Sequence, residues 1–266
     1  MSKSYWQHKN VWIIGASSGI GAQLARELYI KGAHLTLSAR RLNLLQELKQ
    51  SLIKDPITDS RIKLLSLDIT DPHQCHDILL QLKTQWSHLD ACIIVAGQYL
   101  ALPASELNSE TLKQVTDLID VNLYGPLRVL SEVIPWFLSQ SYGQIGLVSS
   151  VAGYGGLPHS MAYSSSKAAL NNLGETLAMD LHPYGIHVSY ICPGFVDTAM
   201  TAERSIPMPA KISSNAAARE ILKGLEKKQI EIHFPKRFTV FLKILRLLPR
   251  AWYVALFRIL STGTKP

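Results

Sequence analysis

The stretch "HSMAYSSSKAAL", residues 159–170, sets Tyr163 and Lys167 four positions apart in a segment that reads as the opening of a helix. Four positions bring two side chains onto one helical face, about 5–6 Å apart at Cβ. An ammonium there favours the phenolate and pulls the phenol down from its ordinary pKa of about 10. A phenol tuned in this way can give a proton to an oxygen that gains negative charge, or take one back. The same letters carry a second chemistry. Ser164 and Lys167 satisfy S-x-x-K, Ser213 and Asn215 satisfy S-x-N, and Ser261-Thr262-Gly263 is a lysine short of K-T-G, the order found in serine acyl enzymes that recognise penicillin. That reading explains neither a glycine-rich turn at 15–21 nor an arginine pair at 40–41.

Either chemistry needs elements to position it. Apolar runs that read as buried strands fall at 11–15, 34–39, 62–67, 91–96, 143–149, 186–191 and 230–234. Between them, segments of helical period cover 19–31, 41–53, 73–87, 110–140 and 162–182. Strands apolar on both faces and separated by helices specify a parallel sheet covered on both sides, a doubly wound α/β fold of Rossmann type. Ligands of such folds sit beyond the carboxyl ends of the strands.

The first strand-to-helix turn reads "IIGASSGIGAQLA". Gly15 ends the strand, Gly19 lets the backbone approach a pyrophosphate, and Gly21 lets the helix pack close to the sheet, with the helix N-terminus facing the phosphates. After the second strand, where an acid would hold a ribose 2′-OH, the chain has Ala39 followed by Arg40 and Arg41. An acid repels a 2′-phosphate, whereas guanidinium groups grip it with paired charge-assisted hydrogen bonds. The turn therefore points to NADP(H).

With "GASSGIG", "DVNLYG", "LVSSVAG" and "YSSSK" in that order, the chain resembles a short-chain dehydrogenase/reductase over residues 9 to 235. The resemblance implies Ser150 as the hydrogen-bond donor to a substrate oxygen and Tyr163 as the proton donor or acceptor. Lys167 would lower the phenol's pKa and bind the nicotinamide ribose, and Asn122 would anchor a proton-relay water. Asp68 would touch the adenine, with Ile69 beside it. Pro193 and Gly194 match the turn along the nicotinamide, and Thr198 a contact to its carboxamide. Ser17, Ser18 and Ile20 of the first turn, and Ala96 and Gly97 after the fourth strand, complete the cofactor contacts. Hydride transfer to a ketone builds charge on oxygen, so a proton donor and an orienting hydrogen bond are what the reaction needs. The expected activity is NADP(H)-dependent interconversion of a ketone and a secondary alcohol. One departure is "IIVAG" at 93–97, where relatives carry an asparagine-rich turn; another is Ile14 where threonine is common. A catalytically silent dinucleotide-binding module is the competing reading, opposed by the joint presence of Asn122, Ser150, Tyr163 and Lys167.

Hydrophobic residues at 47% and charged ones at 18% exclude a disordered chain. Cys75, Cys92 and Cys192 are scattered, so neither a metal site nor a disulfide framework is indicated. Ten mostly polar residues precede the first apolar run, leaving no room for a secretory leader, and a cytoplasmic setting is expected. Residues 1–235 form the expected catalytic domain and 236–266 a basic amphipathic helical tail. That tail holds seven of the 27 basic residues and none of the 20 acidic ones, so it carries the whole net charge of +7. Lys243, Arg246 and Arg250 fall on one helical side while Phe241, Leu245, Leu248 and Trp252 mostly face away, with Pro249 opening a second short helix. The tail is expected to meet an anionic membrane surface, or to bury its apolar side on the body or a second subunit. A homo-oligomer is expected, and no nucleic-acid partner. Residues 195–215 read as a loop over the site; their methionines, with Leu157 and Met161, suggest an apolar, lipid-like substrate. His159 reads as lining the pocket or surface, and Trp136 and Phe137 as a packed kink or subunit contact.

Overall fold

The computed structural model describes residues 4–53, 60–202 and 208–261. Seven parallel strands form its sheet: β1 (Asn10–Ile14), β2 (His34–Ala39), β3 (Ile62–Ser66), β4 (Ala91–Ile94), β5 (Gly143–Val148), β6 (Ile186–Pro193) and, last in sequence, β9 (Glu231–Phe234), in the order β3-β2-β1-β4-β5-β6-β9. Alternation along each strand divides the core. Val11 and Ile13 face one side with α1 (Gly19–Ile30), α2 (Leu42–Leu52) and α8 (Ser214–Glu226). Trp12 and Ile14 face the other, with α3 (Pro72–Gln85), α5 (Gly125–Gln140) and α6 (Met161–Leu181). This is the doubly wound arrangement the apolar runs specify.

Register brings the strand ends level: Ile14 pairs with Ser38 and with Ile94, Ile94 with Leu147, Val148 with Ile191. The chain thus leaves β1, β2, β4, β5 and β6 along one edge. Strand β4 stops sooner than its apolar run because Val95 and Ala96 both donate their N–H to the Ile14 carbonyl, at 2.8 and 3.1 Å, which turns the chain across β1.

The long helical stretch at 110–140 is divided. Helix α4 (Ser109–Ile119) passes through a wide π turn at Asp120–Tyr124 before α5 begins. Pro126 brings no N–H to the Asn122 carbonyl four residues back, so the α-helical ladder is interrupted there. Trp136 and Phe137 are buried in the core rather than at a surface. On α6, Leu170 is buried and Leu173 and Leu177 pack against the same core.

Residues 195–215 hold a short parallel pair, β7 (Val196–Asp197) with β8 (Ile212–Ser213), and α7 (Ala199–Ala202); residues 203–207 of that expected loop lie outside the described residues. After β9 come α9 (Lys236–Leu245) and α10 (Arg250–Ser261), separated at Pro249.

Candidate active site

A cavity of about 970 Å³ opens beyond the carboxyl edge of the sheet. One end is built by the glycine-rich turn. Gly15 has φ +86, and a Cβ on it would lie 2.5 Å from the Ala96 nitrogen, so only glycine fits where β1 meets the β4 turn. A Cβ on Gly21 would lie 2.2 Å from the Gly15 carbonyl oxygen; α1 sits directly on the turn. Gly21 accordingly packs beneath the cavity wall, while Gly15, Ser17, Ser18, Gly19 and Ile20 line it. Ser18 is the N-cap of α1, yet its side chain makes no capping bond, so the first-turn amides and the positive end of the helix dipole suit an anion.

Arg40 and Arg41 line the same end. Arg41 Nη2 stands 3.3 Å from Ser17 Oγ and 3.4 Å from Ser18 Oγ, so one guanidinium is tied to the glycine turn. Asp68 and Ile69 form the wall beside them. Asp68 Oδ1 accepts from the Thr70 N–H at 3.0 Å and from its hydroxyl at 2.7 Å, and the Asp68 N–H donates to Gln74. Ala96 and Gly97 continue the wall, as do Pro193, Gly194 and Thr198 on the far side. The Thr198 N–H is held by Thr201 Oγ1 at 3.1 Å.

The other half carries the candidate acid–base groups. Ser150, Tyr163 and Lys167 all line the cavity. Ser150 follows β5 by two residues, and its Oγ accepts the Ala152 N–H at 3.1 Å, capping a tight turn at Val151–Tyr154 that fixes the hydroxyl at the strand end. Lys167 is 4% exposed; its Nζ donates to the Val148 carbonyl at 3.1 Å and stands 5.8 Å from the Tyr163 ring centre. Burial pushes the Lys167 ammonium down to about 8, partly offset by Cys192. The Tyr163 ring meets Tyr99 edge-on at 5.0 Å.

Asn122 is fully buried behind this wall. Its Oδ1 accepts the Gln98 N–H at 2.7 Å; its Nδ2 donates to the Gln98 carbonyl at 3.0 Å and to Ser166 Oγ at 3.1 Å. Ser166 Oγ donates onward to the Tyr163 carbonyl at 2.9 Å. The side chain thus braces the chain after β4 against α6. A Cβ on Gly97 would crowd Asn122 Oδ1 at 3.3 Å and Lys167 Nζ at 3.4 Å, so these three residues meet at one point.

The tail closes the apolar side. Phe238, Phe241, Leu242 and Leu245 of α9 and Leu256, Phe257 and Leu260 of α10 line the cavity with Leu157 and Met200. Met161 does not; it packs against Leu102, Val115 and Leu118 instead. Two contacts fasten the tail to the turn that carries Ser150. Tyr253 donates to the Gly156 carbonyl at 3.0 Å. Glu231 on β9 pairs with Lys243 of α9 and accepts from the Tyr154 hydroxyl at 2.6 Å. Burial works to raise the Glu231 pKa, but hydrogen bonds from Lys243 and Tyr154, with the Lys243 charge, outweigh it and hold the carboxyl below its ordinary value. Its stabilising contribution is therefore present above about pH 4.3 and is lost as pH falls through the lowered native value. With 36% of the Lys243 side chain exposed, the pair is taken as about 1 kcal/mol after screening. Lys243→Met is expected to lower Tm by about 2–4 °C at neutral pH, Lys243→Arg to restore most of it, and the difference to shrink in acid. Equal Tm values for wild type and Lys243→Met by scanning calorimetry would show that the pair contributes nothing.

Sequence reasoning did not find Gln98, Ser166, Tyr99, Thr201 or the Tyr154–Glu231–Lys243 chain as parts of this region. His159 lines the cavity, and its Nδ1 is buried with no hydrogen-bond partner. The acyl-enzyme pattern does not assemble. Ser164 is buried off the cavity wall with its Oγ unpartnered, and Ser213 accepts the Ala216 N–H as the cap of α8. Thr262 and Gly263 lie outside the described residues.

A parallel doubly wound sheet with a glycine turn under one end of its cavity and a serine, tyrosine and lysine at the other defines a dinucleotide-type α/β fold with a candidate acid–base site. The chain belongs to the short chain dehydrogenase family, whose model matches residues 9–208. An uncharacterized oxidoreductase of Myxococcus xanthus is 32% identical over 94% of this chain and 97% of its own length. Another, from Staphylococcus epidermidis, is 32% identical over 80% of this chain and 89% of its own. A short chain dehydrogenase from Burkholderia cenocepacia, solved in complex with NADP, has the same fold, with a TM-score of 0.79 at 24% identity over 95% of this chain and 98% of that one.

Proposed function

We propose that this oxidoreductase uses NADP(H) to interconvert a ketone and a secondary alcohol on an apolar, lipid-like substrate. The observation that carries the reading is one cavity with Ser150, Tyr163 and Lys167 at one end and the glycine turn with Arg40 and Arg41 at the other. The cradle fits a dinucleotide: Gly15 and Gly21 exclude a Cβ, and the α1 amides lack a side-chain cap. Ala39 in place of an acid, with two arginines following, favours the 2′-phosphate, and the NADP complex of the Burkholderia relative agrees.

The bound nicotinamide supplies the hydride. Ser150 Oγ donates a hydrogen bond to the carbonyl oxygen and holds it in line. Tyr163 Oη transfers its proton to that oxygen as charge develops, and takes one back in the oxidative direction. The Lys167 ammonium stabilises the phenolate left behind and would hold the nicotinamide ribose when the cofactor is bound. The Asn122 side chain serves as a brace, so the anchor for a relay water falls to its carbonyl, which Pro126 leaves without an α-helical donor. The apolar wall from the tail, with Leu157 and Met200, selects the substrate.

We assign the protein to the cytoplasm, working as a homo-oligomer and peripheral to an anionic membrane. Exposed Leu112, Tyr124, Leu127 and Leu138 on and between α4 and α5 support self-association. The decisive experiment follows NADPH oxidation across carbonyl compounds of graded size and polarity. Turnover should rise with apolar length. A protein that binds NADPH and turns over none of them would be the silent dinucleotide module instead.

A further inference from the structure

The two tail helices have an inner and an outer apolar surface. The inner one lines the cavity. Across the outer one, Phe241 is 54% exposed, Ile244 57%, Leu247 84%, Trp252 68% and Ile259 71%. On α9, Phe241 and Ile244 share one arc with Val240, Lys236 and Arg237 at about 100° per residue; Leu247 follows in the turn after the helix, and Trp252 and Ile259 belong to α10. A monomer rarely leaves so much large apolar surface in water without a partner for it.

The charge identifies the partner. No acidic residue occurs after Glu231, while Lys236, Arg237 and Arg250 are exposed beside the apolar arc. A second copy of this surface would set like charges against each other, whereas an anionic lipid surface takes the apolar side chains and the cations together. Trp252 is a residue type that settles at the headgroup level. The helices, Lys236–Leu245 and Arg250–Ser261, fall short of the roughly 20 apolar residues needed to span a bilayer, and no described helix is long and apolar enough to cross one. They would lie in the interface. Phe241 and Leu260 belong to both surfaces: each is exposed, and each lines the cavity. The rim of the cavity therefore runs onto the outer face.

We propose that the outer face of α9 and α10 docks on an anionic lipid surface, and that a long-chain carbonyl or alcohol passes from the bilayer into the cavity over the rim at Phe241 and Leu260. The substrate half of this proposal rests on the oxidoreductase reading; the docking half does not. The test uses the full chain, with Leu247 and Trp252 each changed to Glu in one variant, since neither lines the cavity. Wild type should co-sediment with phosphatidylcholine vesicles containing phosphatidylserine, less with phosphatidylcholine alone, and less with added salt. The variant should bind the anionic vesicles at least about fivefold more weakly. Its turnover of a short, water-soluble carbonyl should equal wild type, while turnover of a long-chain carbonyl dissolved in the vesicles falls with binding. Wild type that ignores anionic vesicles overturns docking. If the variant instead lowers the mass seen by light scattering without any vesicle effect, the face is a contact between copies and the proposal fails. Vesicle binding that persists in a protein turning over no carbonyl overturns the activity reading and the substrate half with it.

Discussion

Changing Tyr163 to phenylalanine is expected to cut turnover by roughly 10²–10⁴-fold, or about 3–5 kcal/mol in the barrier, with NADPH affinity unchanged. The substitution removes the transferable proton and keeps the ring, so the edge-on contact with Tyr99 survives. Lys167 also stays in place, because its Nζ is anchored on the Val148 carbonyl. The effect should therefore appear in kcat and not in cofactor binding. Lys167→Met removes both proposed roles of the lysine at once. It should lower turnover and weaken NADPH together, since the same ammonium is proposed to serve the phenol and the ribose. Single-turnover kinetics with fluorescence titration of NADPH measure both quantities. A Tyr163→Phe protein with near-normal turnover on its best substrate would mean that another group supplies the proton.

The parts of this site that were legible in the sequence are those that obey a local rule. Tyr163 and Lys167 follow helical spacing, the glycines of 15–21 follow the geometry of a strand-to-helix turn, and the strands announce themselves as apolar runs. What was not legible depends on distance in sequence. Tyr154 and Glu231 are 77 residues apart, and nothing in either neighbourhood predicts that the 2.6 Å bond between them will tie β9 to the turn after Ser150. Asn122 was found by its motif, but its grip on Gln98 appears only once β4 and the π turn are adjacent. The tail shows the limit most clearly. Helical period separates the face with Leu245 from the face with Lys243, yet period cannot say which surface of the molecule each will meet. Both sides turned out to be used: Leu245 lines the cavity and Lys243 pairs with Glu231. Met161 failed for a similar reason: it is near Tyr163 in sequence, but two positions turn it about 200° round α6, onto the Leu102, Val115 and Leu118 cluster.

Replacing Arg40 by aspartate is expected to raise the dissociation constant for NADPH by roughly ten- to a hundredfold, about 1.4–2.7 kcal/mol, while NADH binds equally well or better. The two arginines are not equivalent for this purpose. Arg41 is tied to Ser17 and Ser18, so removing it would disturb the glycine turn that both cofactors share. Arg40 is exposed and lines the cavity, so its charge can be reversed with little change to the turn. A carboxylate at this position would repel the 2′-phosphate and accept a hydrogen bond from a free 2′-hydroxyl, which is the chemistry that distinguishes the two cofactors. Raising salt should narrow the NADPH difference, because part of it is interaction between a solvent-exposed charge and a phosphate. Fluorescence titration of both cofactors against wild type and Arg40→Asp measures the ratio directly. Unchanged NADPH affinity in the variant would remove Arg40 from the phosphate site. A wild-type preference for NADH would overturn the cofactor assignment altogether, leaving the tyrosine and lysine chemistry to be tested on its own.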